Sequence, residues 1–511
     1  MPSLLSLAKG VALVLLALVV KSYVGRRRRN GLPLPPGPRP LPLIGNVFDL
    51  PTKAPWITYA GWAKKYGDIM SVNALGQTIV IANSSKVARD LLDKRGTIYS
   101  DRPLIPILDM MGFDVFNLSM RRYSEEWRLG RRIADHSLRP SAAMTYRPMQ
   151  TRMCHRMLRQ LLRRPEEYVE HIRHFTAAIA MSLAYGYQIA ESNDRYVAIA
   201  EDAIAKAVAS VLPGARLVNT VPALRHLPEW LPGMGFKQHA RDVAKLTKDM
   251  VDLPFEFVKE QWYVGYQKLH VLLSTENLDA LQNPTEEDEN RIKYVAATIY
   301  AAGADTTVSI LSTFFLVLIL YPHVQRRAQA ELDAVVGRDR LPGYDDRDSL
   351  PFVEAICMEL TRWRMSTPLA IVHSSMEDDV YDGYFIPKGT MVLPNAWAML
   401  HDPAVYPDPD AFKPERFLTE AGTVKEDPLL ASAFGFGRRI CPGRHVADTT
   451  LWIVVATVLS AFDVGEARDG SGTAIPVKCE YSDGLISHPL PFECAIVPRD
   501  EEAVKLIRGT E

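Results

Sequence analysis

Two things are scarce in this chain of 511 residues: cysteine, with five residues, and net charge, which is -1 at neutral pH. The cysteines, Cys154, Cys357, Cys441, Cys479 and Cys494, show no CxxC spacing and are odd in number. That argues against a disulfide framework and against a structural zinc site. A reducing, cytosolic setting fits such usage. The near-zero charge offers no general attraction to nucleic acid, and no nucleic-acid motif is recognisable. Also missing, beyond the first fifty or so residues, is any Gly/Ser-rich linker, internal repeat or low-complexity break. With 47% hydrophobic residues, these absences exclude a disordered chain and predict one large catalytic unit, although length alone would suggest about three domains.

What is present begins at the N-terminus. Residues 4–24 read LLSLAKGVALVLLALVVKSYV and are followed at once by four arginines, Arg26, Arg27, Arg28 and Arg29. The uninterrupted apolar core, 11–20, is about 15 Å of helix where about 20 residues would cross the hydrocarbon, so Lys9 and Lys21 must snorkel to the interfaces. The alternative, a cleaved signal peptide, places its basic cluster before the apolar run and needs a small-x-small cleavage site that is not convincing here. The basic residues after the run orient the segment with the body in the cytosol. We therefore expect 4–24 to be a single-pass transmembrane anchor, 25–46 a basic and proline-rich hinge acting as a spacer, and 47–511 the catalytic domain.

Within that body, 56–66 carries helical periodicity, and 69–72 and 78–81 are short β-like runs separated by Gly76. Most of the remainder is helical, with further β-like pieces around 371–392 and near the C-terminus. The class is mainly α with small β-sheets. Thr285 followed by EEDE (286–289) marks a capped helix start, and an apolar helix runs on to Tyr321, ahead of Pro322. Gly303 and Asp305 interrupt its apolar run, leaving too little to cross a membrane, so a buried core helix of about 50 Å is expected. In its middle lies AGADTT (302–307). Glycine costs about 1 kcal/mol in a helix interior and threonine can bond back to the preceding turn. The helical ladder is therefore expected to open here and admit a small ligand, the alternative being a kink whose hydroxyls are satisfied by backbone.

The stretch FGFGRRICPGRHVA (434–447) sets a lone cysteine among glycines and arginines just before an apolar helix. A phosphate-binding loop would need the missing lysine and a preceding strand. A buried structural cysteine would find Arg438, Arg439 and Arg444 poor neighbours. A metal-ligating thiolate fits better, because a helix N-terminus stabilises a negative sulfur and glycines let the loop approach a flat cofactor. That combination points to haem iron held by Cys441.

These residues resemble the FxxGxRxCxG signature of the cytochrome P450 superfamily at Phe434, Gly437, Arg439, Cys441 and Gly443. AGADTT resembles its oxygen-binding helix motif, ELTR (359–362) its ExxR motif, PERF (414–417) its meander motif and WRLGR (127–131) its WxxxR motif, all in family order. The resemblance covers essentially the whole chain, including the anchor and hinge of microsomal members, and YSDRP (99–103) is similar to fungal sequences of this kind.

The resemblance implies a cytochrome P450 fold holding haem b, with Cys441 as the axial iron ligand and Phe434, Gly437, Arg439, Gly443, Trp127, Arg131 and His373 around the cofactor. It implies a structural network of Glu359, Arg362 and Arg416, and a proton relay of Asp305 and Thr306. It implies O2 as co-substrate, electrons from NADPH through a flavoprotein reductase, and an endoplasmic reticulum membrane location with the catalytic domain facing the cytosol. Arg121, Arg122, Arg128, Arg132, Arg438 and Arg444 are expected to form a basic face for that reductase, or else a solvated charge run. The substrate pocket should draw on Ile105, Phe116, Ile299, Ala302, Leu369, Ile371, Leu485 and Ile486, mostly apolar, for a lipophilic uncharged molecule. Fungal secondary metabolism, terpenoid or polyketide tailoring, is the expected setting. A haem-thiolate isomerase or dehydratase, needing no external electrons, and a haem-based sensor or binding protein are the other classes compatible with Cys441.

Overall fold

A computed structural model describes residue 29 and residues 31–211, 216–263, 273–281 and 284–510. The expected anchor, 4–24, lies outside the described residues. The chain forms two compact units. One comprises the described residues up to Pro103 with Val372–Asn395; the other comprises Leu104–Ile371 with Ala396–Glu511. No linker marks the division, because the chain passes from one unit to the other and back.

In the first unit, α1 (Pro55–Tyr66) precedes a hairpin of β1 (Ile69–Ala74) and β2 (Gln77–Ala82). The turn between them is made by Leu75 and Gly76, at φ 48° and 88°. Positive φ at both central positions matches the right-handed twist of the flanking strands. The later strands β3 (His373–Ser374), β4 (Asp379–Tyr381), β5 (Tyr384–Ile386) and β6 (Met391–Pro394) return to this unit, with β6 parallel to β2 and antiparallel to β3. The sheet order is β1-β2-β6-β3, and β4 and β5 pair separately.

The described part of the proline-rich segment lies on this unit. Proline cannot donate a backbone hydrogen bond but its carbonyl accepts one. The Ser71 amide donates to the Pro36 carbonyl at 2.8 Å and the Phe385 amide to that of Pro33 at 2.8 Å. The Ser71 hydroxyl adds a 2.6 Å bond to the Pro35 carbonyl. The contact is close enough that a Cβ at Gly37 would stand 1.9 Å from the Ser71 carbonyl oxygen. Where a free spacer was expected, 33–37 is docked.

The second unit is helical, built from α2 (Glu125–Leu138), α3 (Arg147–Arg163), α4 (Tyr168–Tyr185), α5 (Arg195–Val211), α6 (Phe236–Tyr263), α7 (Glu286–Leu320), α8 (Pro322–Val335), α9 (Pro351–Trp363) and α10 (Arg444–Ala461), with a hairpin of β7 (Phe462–Glu466) and β8 (Cys494–Pro498). Thr285 caps α7 as the sequence predicts. The Asp288 amide donates to the Thr285 hydroxyl, and the Thr285 amide donates back to the Asp288 carboxylate, each at 3.2 Å. Among the described residues α7 is the one helix long and apolar enough to cross a bilayer, and 61% of its most apolar window is buried inside the protein. It behaves as a core helix.

Two apolar clusters grip α7. Ile292, Val295, Ala296 and Tyr300 belong to one, and Val308, Leu311, Phe314 and Phe315 to the other. Each such side chain contributes about 1.5–3 kcal/mol on full burial. Between them the helix opens to space: Tyr300 is 2% exposed and Val308 3%, yet 301–307 are all partly accessible and Ala302 is exposed. The helix is unbroken through this turn, so the expected opening of the ladder does not occur. The Thr306 hydroxyl instead donates to the Ala302 carbonyl one turn back, at 2.9 Å. The partly accessible surface of this turn therefore needs no broken backbone.

Candidate active site

The cysteine loop joins a 3₁₀ turn, Leu430–Phe434, to the N-terminus of α10. The Cys441 amide donates to the Phe434 carbonyl at 2.8 Å, which folds the loop back on itself. This requires a residue at φ 87°, ψ -162°, and Gly435 supplies it; that region is essentially closed to other residues. Gly435 was not singled out from the sequence, although its place between two aromatics inside the motif was the available signal. Gly437, at φ 54°, begins the next short turn, Gly437–Arg439. Gly443 is the N-cap of α10.

The sulfur of Cys441 is treated by two opposing effects. Burial pushes the thiol up from its ordinary value, while the Gly443 amide, the charges of Arg131 and Arg444, and the Arg444 amide all favour the thiolate. Burial is the larger of these effects on the free thiol, and the helix N-terminus opposes it. A bound cation completes the balance, since a coordinating thiol is deprotonated outright. The donor set therefore fits a thiolate-ligated iron. Arg444 also closes the loop, donating to the Cys441 carbonyl at 2.9 Å.

The expected cofactor donors are partly brought together. Arg439 is buried and stacks its guanidinium 4.0 Å from the centre of the Trp127 ring. Both donate to the same acceptor, the Leu118 carbonyl, each at 3.0 Å, and Arg439 also reaches the Arg121 carbonyl at 2.9 Å. Arg131 pairs with Asp135 at 2.9 Å and is close enough to Cys441 for its charge to be felt there. His373 is buried in the first unit, with Nδ1 2.8 Å from the Tyr99 carbonyl.

Glu359 and Arg362 share a face of α9 and are fully buried. Arg362 grips the carboxylate with two bonds, 2.6 and 2.9 Å, and spends its remaining donors on the Leu400 and Pro409 carbonyls, each at 2.8 Å. Arg416 adds a third bond to Glu359 at 3.1 Å, and the Lys413 amide a fourth at 2.8 Å. Removing one partner of such a buried pair strands the other's charge. Arg362→Ala is expected to cost about 3–5 kcal/mol of stability, read as a lowered denaturant midpoint; a midpoint unchanged from the parent would contradict the role.

Asp305 and Thr306 lie on the accessible turn of α7. Burial opposes the Asp305 charge, but a hydrogen bond and charge from His488 and the charge of Arg173 outweigh it and hold the carboxyl below its ordinary value. His488 Nε2 is 3.2 Å from Asp305 Oδ2, and Arg173 of α4 is 3.7 Å from Oδ1. Neither partner was legible as such in the sequence, since both come from segments without a motif. Of the expected pocket residues, Ile105, Ile299, Ala302, Leu369, Ile371, Leu485 and Ile486 retain accessible surface, whereas Phe116 is 1% exposed and packs against Phe113.

Comparison with known proteins gives the family. The family model for cytochrome P450 matches residues 35–494, and the chain belongs to that family. It is 43% identical to cytochrome P450 monooxygenase 208 of Postia placenta, covering 98% of this chain and 97% of the relative. It is 41% identical to cytochrome P450 monooxygenase claR of Ampulloclitocybe clavipes, covering 98% and 92%. It is 39% identical to the tryptamine 4-monooxygenase of Psilocybe cyanescens, covering 98% and 99%. The protein is thus an oxygen-incorporating oxidoreductase with the haem-thiolate cofactor of its family.

Proposed function

We propose that the protein is a membrane-anchored monooxygenase that inserts one atom of O2 into a lipophilic small molecule, with electrons from NADPH delivered by a flavoprotein reductase, in fungal secondary metabolism. The observation that carries this reading is the adjacent acid and alcohol, Asp305 and Thr306, on a partly accessible turn between two buried stretches of α7. An isomerase or a sensor built on the same cysteine would have little use for it.

When bound, the haem supplies the oxygen-activating iron, with the thiolate donating electron density that favours O–O cleavage. Cys441 would hold the iron, the Gly443 and Arg444 amides tuning its sulfur. Arg131 and Arg439 are the donors suited to its carboxylates, with the Trp127 ring stacked against the Arg439 guanidinium. Thr306 presents a hydroxyl whose proton is engaged by Ala302, so its lone pairs face the open turn and can accept a hydrogen bond there. Asp305, one residue away, is the group that would carry protons in, held in place by His488 and Arg173. The partly exposed apolar residues Ile299, Leu369, Ile371, Leu485 and Ile486 would order the substrate and exclude water.

The test is a product screen with reductase and NADPH, read by mass spectrometry for a gain of one oxygen. Product formed without NADPH would instead establish the isomerase class, and no substrate-dependent NADPH consumption across a broad library would establish the sensor. For the anchor, deletion of residues 1–29 is expected to release the protein from microsomes with its haem spectrum intact. Tight attachment after deletion would show that another surface holds the membrane.

A further inference from the structure

Asp305 and Ser309 stand one turn apart on the same face of α7. One loop reaches both. His488 Nε2 lies 3.2 Å from the Asp305 carboxylate, and the Ser309 hydroxyl donates to the Ser487 carbonyl at 2.6 Å. The Ser487 amide in turn donates to the Ser366 carbonyl at 2.8 Å, and the Ser366 hydroxyl donates to the Thr306 carbonyl at 2.9 Å. The bonds close a ring that runs from α7 through Ser366 and Ser487 back to α7. Ser309 is fully buried and Ser487 is 3% exposed, so these bonds form away from competing water, where breaking one leaves a costly unpaired group.

The two loops in the ring carry more than serines. Three residues past Ser366 comes Leu369, and immediately before Ser487 come Leu485 and Ile486, all of which retain accessible surface. The same backbone thus bears side chains suited to touch a lipophilic molecule and the groups that hold the acid of the relay. Around Asp305 the other charges belong to helices: Arg173 on α4, paired at 3.7 Å, and Glu201 of α5, which feels the charges of Arg173, Glu170 and Asp305. Those helical charges are fixed by their elements. His488 is the loop-borne partner among them.

We infer that His488 is a positioning residue that links the substrate-side loop to the proton relay. Its imidazole fixes the Asp305 carboxylate, and the placement of Leu485 and Ile486 by a bound molecule therefore sets how faithfully protons are delivered. The inference rests on the monooxygenase reading and deepens it. A well-fitting substrate seats the loop, keeps the ring closed and couples electron use to product; a poorly fitting one shifts the loop and loosens Asp305.

The test compares His488→Phe, which removes the hydrogen bond, with His488→Gln, which keeps a donor. In the haem-loaded protein with reductase and a converted substrate, His488→Phe is expected to raise the fraction of NADPH electrons recovered as hydrogen peroxide several-fold, and His488→Gln to restore most of the parent's coupling. The parent's coupling should also vary across substrates of graded size, and that variation should flatten in His488→Phe. Independent of turnover, a double-mutant cycle of Asp305→Asn and His488→Phe, read as denaturant midpoints of the holoprotein, should be non-additive. Unchanged coupling in His488→Phe, equal loss in both His488 variants, or additive midpoints would overturn the inference. A parent that forms no oxygenated product would instead refute the monooxygenase reading, and the midpoint cycle would still decide whether His488 and Asp305 act together.

Discussion

Cys441→Ala is expected to abolish the red-shifted absorption band of the reduced, carbon monoxide-bound protein. The loop places one sulfur where three separate devices converge: the fold-back bond from the Cys441 amide to the Phe434 carbonyl, the left-handed turn at Gly435, and the start of α10 at Arg444. Alanine can retain all three, so the loop should survive while its only ligand atom is lost. The other cysteines lie outside this loop, Cys479 exposed and Cys494 in β8. Cys154 is buried and shares a hydrogen bond with Thr457, Cys357 is buried in α9, and burial pushes both thiols up. The measurement is the difference spectrum of reduced protein with and without carbon monoxide, set against total haem content. Retention of the band in the alanine variant would refute the ligand assignment, whatever the activity.

The elements legible in the sequence were those whose cause is local. The β1/β2 hairpin follows from two short β-like runs, 69–72 and 78–81, with Gly76 between them. The start of α7 follows from Thr285 and Asp288, which satisfy each other's backbone groups within one turn. Glu359 and Arg362 were readable because a spacing of three puts them on one helix face. What failed was set by partners distant in sequence. The proline-rich segment looks like a spacer until Ser71 and Phe385 supply the donors its carbonyls need. The unbroken course of α7 through Gly303 depends on apolar clusters that hold the helix on both sides of that residue. A glycine penalty of about 1 kcal/mol is small beside them.

The cysteine site shows the same division. The motif located the sulfur, and the helix start behind it is where the sequence put it. The direction of the thiol's shift was not legible, because it is a contest between local amides and burial by the whole surrounding unit. Such contests are decided by tertiary packing, and in low-dielectric surroundings an unpaired charge is disfavoured strongly. The sequence could name the favourable contributions but had no measure of the opposing one. The ring through Ser366 and Ser487, and the His488 contact beside it, were hidden for a related reason, since serine and histidine in irregular segments carry no periodicity to betray their partners.

The proton relay carries the other large expectation. Asp305→Asn should slow turnover by about 10²- to 10⁴-fold, the usual worth of a positioned proton donor or acceptor, while haem and substrate binding persist. The carboxyl is held below its ordinary value by His488 and Arg173. A depressed folded-state value means that its ion pairs stabilise the fold above the ordinary carboxylate range, and that this contribution is lost as pH falls through the depressed value. Asp305 is therefore ionised throughout the neutral range, and the parent's rate should not rise on mild acidification, as it would if Asp305 had to be protonated to act. Thr306→Ala should fail in another way. It deletes the hydroxyl that Ala302 orients and leaves the acid in place, so NADPH consumption should continue with hydrogen peroxide replacing much of the oxygenated product. The pair is resolved by measuring NADPH, peroxide and product together in each variant. If both variants kept the parent's rate and its ratio of product to NADPH, the open turn of α7 would be acting through its shape alone, with Gly303 and Ala302 making the space and neither polar side chain taking part.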